Sequence, residues 1–133
     1  MKRPTSIGLV ADPHGFLPKE RLRLFLNSQG YKIQDFGVAG PTDETSVDEL
    51  TAAVVSAITS RECECAIALS VSGNSFQIVA NKYPQISAAP CMDEESALEA
   101  ALTHKAQICE IFAGFDATQV RAISLSFLSN LTG

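Results

Sequence analysis

Apolar residues fall into five short runs along the chain, and each run is followed by a segment whose apolar residues recur with helical spacing. The segments at 6–11 and 65–71 predict buried strands, alternating side chains at 31–36 predict a second strand, and 85–91 and 107–113 predict the fourth and fifth strands. The segments between them predict a helix over 19–29 with Pro18 in its first turn, a helix from a Ser46 cap through Ser60, a short helix through Lys82, and helices over 94–104 and 117–131. Strand and helix thus alternate five times, at about 25 residues per unit.

This alternation favours an α/β fold with helices on both faces of a parallel sheet. Right-handed crossovers make it Rossmann-like, so we predict a three-layer α/β/α sandwich with a five-stranded parallel sheet. The 133 residues fit one domain, spanning 1–133. Ligand sites in such sheets lie at the carboxyl ends of the strands, near a topological switch point. That rule selects the loops at 12–16, 70–75 and 92–95.

The 12–16 loop carries a carboxylate and an imidazole, Asp12 and His14. Both groups commonly act as acids or bases in enzymes. The alternative is structural, with Asp12 capping the turn and His14 exposed to solvent.

The 70–75 loop contains small polar residues and leads into a helix. Gly73 lets the backbone approach a ligand closely, and the amide N–H groups at the head of the helix would point at an oxyanion or a phosphate. The serine hydroxyls and the Asn74 amide suit sugar hydroxyl groups. The alternative is a plain helix N-cap formed by Ser72 or Asn74.

The 92–95 loop is acidic, and Asp93 or Ser96 is expected to cap the following helix. Glu94 and Glu95 fit the acidic first turn of that helix better than a catalytic set. Beyond that helix, His104 comes just before the fifth strand, where a solvated helix end is the alternative to a ligand contact.

The composition of the chain limits the classes of partner that it is expected to bind. The net charge of −5 argues against nucleic-acid binding, although local backbone N–H groups can still hold a small anion. No apolar run approaches the roughly 20 residues of a membrane helix. The first apolar stretch is cut by a polar loop after about seven residues, which is typical of a strand rather than a signal peptide. We therefore expect a cytoplasmic protein without a membrane partner.

The four cysteines predict neither a disulfide framework nor a zinc site. Cys63 and Cys65 have C-x-C spacing, which is unusual for zinc, and all four cysteines lie in or beside predicted strands. Buried, reduced thiols are the expected state. The dinucleotide fingerprint G-x-G-x-x-G and the P-loop are both absent from the sequence, so we expect no nucleotide cofactor.

Three longer segments together resemble one enzyme family in order, spacing and loop placement. ADPHGFLPKERLRLFLNSQGYKIQDFG is similar to an opening with S-D-H-A-G-F, a Lys-rich helix and G-Y-x-V-x-D-F-G. SGNSFQIVANKYPQISAA resembles S-G-N-G-E-Q-I-A-A-N-K, and SALEAALTHKAQI resembles S-A-x-x-A-R-x-H-N-x-A-Q/N. These are the patterns of type B ribose-5-phosphate isomerases, a group that includes the galactose-6-phosphate isomerase subunits.

The resemblance implies a Rossmann-like enzyme that interconverts aldose and ketose phosphates through an enediolate, without a metal or an organic cofactor. It also implies a homodimer or tetramer with the site at the dimer interface. By position, Asp12 matches the Asp of the first loop, while Pro13 replaces the family's His and His14 follows one position late. Ser70 stands where some members have a proton-abstracting Cys, and Phe76 stands where others have a Glu.

The family's substrate-binding positions match this sequence better than its catalytic positions do. Ser72, Gly73 and Asn74 match the anion-stabilising loop, and Lys82 matches the Lys of A-N-K. Thr103 replaces the family's His, with His104 beside it, and Gly114 replaces an Arg after the fifth strand. The predicted catalytic residues are Asp12, His14, Ser70 and Ser72. The predicted substrate-binding residues are Gly73, Asn74, Ser75, Lys82 and His104.

Two main hypotheses about function follow from these matches, and a third option is a dimeric scaffold that binds no ligand. In the first, the protein is a divergent sugar-phosphate isomerase in which Asp12 and His14 open the ring or move the proton. In the second, it is a non-catalytic homologue that binds a sugar or polyol phosphate, or serves as the partner subunit of an active isomerase. The two differ in whether a base is present, because Ser70 needs a strong neighbouring base to ionise and Phe76 carries no exchangeable proton.

Overall fold

The computed structural model describes residues 5–37 and 45–131. Within these ranges strands and α-helices alternate along the chain, as predicted. The strands are β1 (Ser6–Ala11), β2 (Lys32–Asp35), β3 (Cys65–Ser70), β4 (Ala88–Cys91) and β5 (Ile108–Phe112). The α-helices are α1 (Phe16–Ser28), α2 (Val47–Thr59), α3 (Ser75–Ala80), α4 (Glu94–Leu102) and α5 (Ala117–Asn130).

The strands form one parallel sheet in the order β2-β1-β3-β5-β4. Helices α1, α4 and α5 pack on one face, and α2 and α3 pack on the other. This arrangement confirms the predicted three-layer α/β/α sandwich. The chain passes from β1 outward to β2 and then returns to the other side of β1 as β3. The switch point therefore lies between β1 and β3.

Alternate residues of each strand fill the two cores. Ile67 and Leu69 of β3 face α1, α4 and α5, whereas Ala66 and Ala68 face α2 and α3. Residues two apart share a face, so Ser70 continues the row of Ala66 and Ala68. By the same rule Glu110 shares a face with Ile108 of β5, which also lies in the α2/α3 core.

The helix caps follow the sequence closely. Ser46 accepts a hydrogen bond from the Glu49 amide at 3.1 Å, which confirms the predicted cap of α2. Asp93 and Ser96 were alternative caps for α4, and both take part in a reciprocal capping box. The main local difference is at Pro13–Gly15, which forms a short 3-10 helix, so α1 begins at Phe16 rather than near Pro18.

The 92–95 loop does not lie at the switch point, contrary to the prediction. The connection from β3 to β4 passes over one strand position, which β5 then occupies. Strand β4 is therefore at the sheet edge, and the loop beside β3 is 113–116, which follows β5. Periodicity predicts strands but not their order, so this neighbour was missed.

The four cysteines are buried, as predicted, and their thiols are free. Burial raises the pKa of Cys65 and of Cys109, which keeps both thiols protonated. Across 5–37 and 45–131, no group of His, Cys, Asp or Glu side chains is arranged to hold a metal ion. In the same ranges no helix has the length and apolar character needed to cross a membrane.

A buried ammonium joins α1 to the end of β2. Lys19 is 1% exposed, and its Nζ donates to both Asp35 carboxylate oxygens at 2.7 Å. Nζ also lies 3.2 Å from a Glu20 carboxylate oxygen and 5.5 Å from the centre of the Phe16 ring. A buried charge needs such partners, because without them its desolvation is uncompensated.

Replacing Asp35 with Ala should lower the free energy of unfolding by about 3 kcal/mol, because the buried ammonium would lose its main partner. Glu20→Ala is the matched control and should cost less than about 1 kcal/mol, since Glu20 reaches Nζ through one oxygen at 3.2 Å and pairs mainly with Arg23. Denaturant unfolding of both variants measures the difference. Equal losses in the two variants would contradict the assignment of Asp35 as the principal partner.

Candidate functional site

The Asp12 carboxylate ties the loop after β1 to the loop after β3. Its Oδ1 accepts from the Gly15 amide at 2.8 Å, and its Oδ2 accepts from the Val71 amide at 2.9 Å. The Asp12 amide in turn donates to the Leu69 carbonyl at 3.2 Å. The two loops selected from the sequence therefore meet. Asp12 takes the capping role that was the structural alternative, because each of its oxygens holds a backbone donor.

Close backbone packing holds this junction together. A Cβ at Gly15 would lie 2.6 Å from the Leu69 carbonyl oxygen, so no side chain fits there. His14, in the same short 3-10 helix, is exposed at the carboxyl edge of the sheet. The 12–16 loop thus carries an exposed imidazole and a carboxylate that backbone amides hold in place.

The 70–75 loop is shaped by hydrogen bonds to its own serines. Gly73 has a φ of +77°, which suits glycine, and its amide donates to Ser70 Oγ at 2.9 Å. Ser72 Oγ accepts from the Asn74 amide at 3.3 Å and from the Ser75 amide at 3.1 Å. Ser72 therefore caps the backbone ahead of α3, while Asn74 stands at the N-cap position without a side-chain cap bond.

A buried carboxylate from β5 lies beneath this loop. Glu110 is 0% exposed, and its Oε2 accepts from the Ser70 hydroxyl at 2.5 Å and from the Phe76 amide at 3.2 Å. Its Oε1 accepts from the Gln77 amide at 2.6 Å. The carboxylate thus binds the first-turn amides of α3, in the place of a helix cap.

The surroundings of Glu110 shift its acidity in opposing directions. Burial raises the pKa of the Glu110 carboxyl, and the Asp12 charge raises it further. The Ser70 hydroxyl and the amides of Gln77 and Phe76 oppose this shift, but the net direction is upward. A carboxyl with a raised pKa can take up and return a proton closer to neutral pH.

Sequence reasoning missed Glu110. The residue lies in the strand ICEIF, which was assigned from its apolar character alone. A signal was present, because a single carboxylate in an otherwise buried strand needs hydrogen-bonding partners. Its partner Ser70 could not be identified, since that pairing depends on β5 lying next to β3 with Ala68 opposite Glu110.

An aromatic pair stands where the resemblance places an Arg. The Phe112 and Phe115 rings meet edge to face, with their centres 5.3 Å apart. A Cβ at Gly114 would overlap the Phe112 ring, so a longer side chain at that position would displace the ring. Phe112 is also next to the 70–75 loop, because its Cβ lies 3.5 Å from where a Gly73 Cβ would be.

The structure brings most of the predicted site together but leaves two of the predicted residues apart from it. Lys82 follows the far end of α3 and lines a separate cleft with Asp48 and Tyr83. His104 lies between the end of α4 and the start of β5, at the opposite edge of the sheet. The grouped residues are Asp12, His14, Ser70, Ser72, Gly73, Asn74 and Ser75.

Comparison with known proteins identifies the family. Residues 7–130 match the sequence model of the family described as Ribose/Galactose Isomerase. The chain belongs to this family. The fold of this family member agrees with two solved structures of ribose-5-phosphate isomerase B. The structure from Thermotoga maritima is 27% identical in sequence, with a TM-score of 0.89. The structure from Clostridium thermocellum is 26% identical, with a TM-score of 0.89. Each match covers 96% of this chain, and 88% and 86% of those chains respectively.

A curated relative is a 4-deoxy-4-sulfo-D-erythrose isomerase from Clostridium sp. strain MSTE9. It is 33% identical over 81 residues, which is 61% of this chain. The matched part spans about half of that relative, 51% of its length. The chain is thus similar to enzymes named for a phosphorylated and for a sulfonated sugar.

Glu110 should make the free energy of unfolding depend on pH. Because its folded-state pKa is raised, the stability that its protonated form contributes is complete below the ordinary value near 4.5 and is lost as the pH rises through the folded pKa. The free energy of unfolding of the wild type, relative to Glu110→Gln, should therefore fall as the pH rises above about 4.5. Denaturant unfolding across the pH range measures this difference.

Glu20→Gln is a control, because the stability contribution of Glu20 should change with pH in the opposite direction to that of Glu110. Hydrogen bonds from Arg23 and Lys19 lower the pKa of Glu20, so its contribution is present above the ordinary value near 4.5 and is lost as the pH falls through the folded pKa. A difference between wild type and Glu110→Gln that is flat with pH, or that rises with pH, would contradict the environment described for Glu110.

Proposed function

We propose that the protein is an aldose–ketose isomerase that acts on a small sugar bearing an anionic group, through an enediolate intermediate. The observation that carries this proposal is the hydrogen bond between Ser70 and the buried Glu110 carboxylate, directly beneath the 70–75 loop. It supplies the base that the sequence lacked at Ser70. Membership of the family and its phosphorylated and sulfonated sugar substrates support the reaction class.

Ser70 and Glu110 together form a proton-transfer couple, which can move one proton without a cofactor. Ser70 Oγ takes the proton from the sugar carbon beside the carbonyl while its own proton passes to Glu110 Oε2. Glu110 then returns a proton through Ser70 to the neighbouring carbon, and the hydroxyl proton of the enediolate passes from one of its oxygens to the other, so that protons and charge balance over the cycle. A serine acts in this way only with a strong base in hydrogen-bond contact, and 2.5 Å is such a contact.

The enediolate oxygen is stabilised by the 70–75 loop. The amides of Asn74 and Ser75 donate to Ser72 Oγ at 3.3 and 3.1 Å, and a substrate oxyanion would replace that hydroxyl as their acceptor. Asp12 holds the two loops together rather than moving the proton, since backbone amides engage both of its oxygens. The exposed imidazole of His14 supplies the acid or base for ring opening.

A second candidate function is binding without catalysis. The specific observation in its favour is that Ser70 and Glu110 are both 0% exposed and together satisfy the amides of Gly73, Phe76 and Gln77. In this reading the couple is a structural cap for α3, and the protein binds a sugar or polyol phosphate or serves as a partner subunit. The cytoplasmic location and a homodimer or tetramer with a shared site stay predictions under both readings.

Hydrogen–deuterium exchange at the sugar carbon separates the two functions. Purified protein is incubated in deuterium oxide with pentose phosphates, hexose phosphates and a sulfonated tetrose, and exchange is followed by NMR. We expect exchange with at least one sugar, and a loss of about 100-fold or more in Ser70→Ala and in Glu110→Gln. Ser129→Ala, an exposed serine of α5, is the matched control and should exchange at the wild-type rate.

Two outcomes would count against the enzyme. Absence of exchange with every sugar, together with a rise in melting temperature on adding one of them, would favour binding alone. Exchange that persists at the wild-type rate in both variants would remove the Ser70–Glu110 couple from the mechanism.

A further inference from the structure

We propose that the cleft between the starts of α1 and α5 binds a tetrahedral oxyanion, a phosphate or a sulfonate group. Nothing in the 70–75 loop supplies a cation for such a group. The cleft is lined by two arginines and by apolar residues. The residues that line it include Pro18, Arg21, Leu22, Phe115, Val120 and Arg121.

The two guanidinium groups have N–H donors that could bind an anion. Among residues 5–37 and 45–131, neither Arg21 nor Arg121 has a carboxylate oxygen within 4.0 Å. The acidic side chains nearest to them in sequence are already engaged. Glu20 pairs with Arg23 at 2.9 Å, and Asp116 accepts from the Gln119 amide at 2.8 Å. Both arginines are exposed, and within the described residues neither charge is matched by a carboxylate, so two guanidinium groups at one cleft point to an anionic ligand.

The cleft is held in shape by its apolar residues. Leu22 and Val120 are buried, with 1% and 4% of their surfaces exposed, and form the floor. The Arg121 guanidinium lies 4.9 Å from the centre of the Phe25 ring, a cation–π contact that limits its rotamers. An anion would therefore meet at least one guanidinium that is already positioned.

An aromatic pair connects this cleft to the 70–75 loop. Phe115 lines the cleft, its ring packs against Phe112, and Phe112 lies beside Gly73. The same Phe112 ring lies against Gly114, where the resemblance places an Arg. The Arg21 and Arg121 side chains are thus separated from the loop by one aromatic pair. The bound anion is either the anionic group of the substrate or a separate ligand.

Binding of inorganic phosphate to the full chain tests the site without requiring catalysis. Phosphate and sulfate are titrated at constant ionic strength against sodium chloride, with the Arg side-chain Nε–H signals followed by NMR and the melting temperature by calorimetry. The wild type should bind phosphate and shift two Arg signals. The double variant Arg21→Gln/Arg121→Gln should bind about tenfold more weakly or worse, since two charge-assisted contacts are lost.

Arg23→Gln is the matched control, because Arg23 lies on the same helix but pairs with Glu20. It should bind phosphate as the wild type does. Equal phosphate affinity in the wild type and the double variant, or a wild type that responds to phosphate no more than to chloride, would overturn the proposal. Because these readouts need no turnover, they stand whether or not the isomerase proposal holds.

Competition distinguishes the two sources of the anion. If the cleft holds the substrate's own group, phosphate should compete with the sugar phosphate in the exchange assay, and the double variant should raise KM more than it lowers kcat. If the cleft holds a separate ligand, phosphate should bind without displacing the sugar. Both results support an oxyanion site, and they differ only in what occupies it.

Discussion

The site is organised around one buried charge, the Glu110 carboxylate. It accepts hydrogen bonds from a hydroxyl on β3 and from two amides at the start of α3, so it joins two strands and a helix at one point. An ionised carboxylate without such donors would be too costly to bury. The position of α3, the path of the 70–75 loop and the orientation of Ser70 all depend on this residue.

At the carboxyl edge of the sheet, two carboxylates hold the backbone of the loops in place. Asp12 fixes the 12–16 loop to the 70–75 loop, and Glu110 fixes the 70–75 loop to α3. Together they leave a small polar surface above a proton-accepting couple, which suits a reaction that moves a proton and stabilises an oxyanion. The aromatic residues at the end of β5 border this surface where the family resemblance suggested an Arg, and the arginines of α1 and α5 lie beyond them.

Much of this arrangement could be predicted from the sequence, because strand and helix periodicity and cap residues act locally. The alternation of elements, the Ser46 and Asp93 caps and the meeting of two loops at the switch point all follow from such patterns. Glu110 could not be placed, because its role depends on β5 inserting between β3 and β4. The role of Asp12 as a tie between loops likewise depends on a contact with Val71, 59 positions away.

The central claim is that Glu110 makes Ser70 a competent proton acceptor, and Ser70→Cys tests it most directly. A thiol ionises far more readily than a hydroxyl and needs less help from a neighbouring base. We expect Ser70→Cys to catalyse exchange at the sugar carbon and to be much less sensitive to Glu110→Gln than the wild type is. Equal sensitivity to Glu110→Gln with serine and with cysteine at position 70 would show that Glu110 only shapes the loop, and would contradict the account.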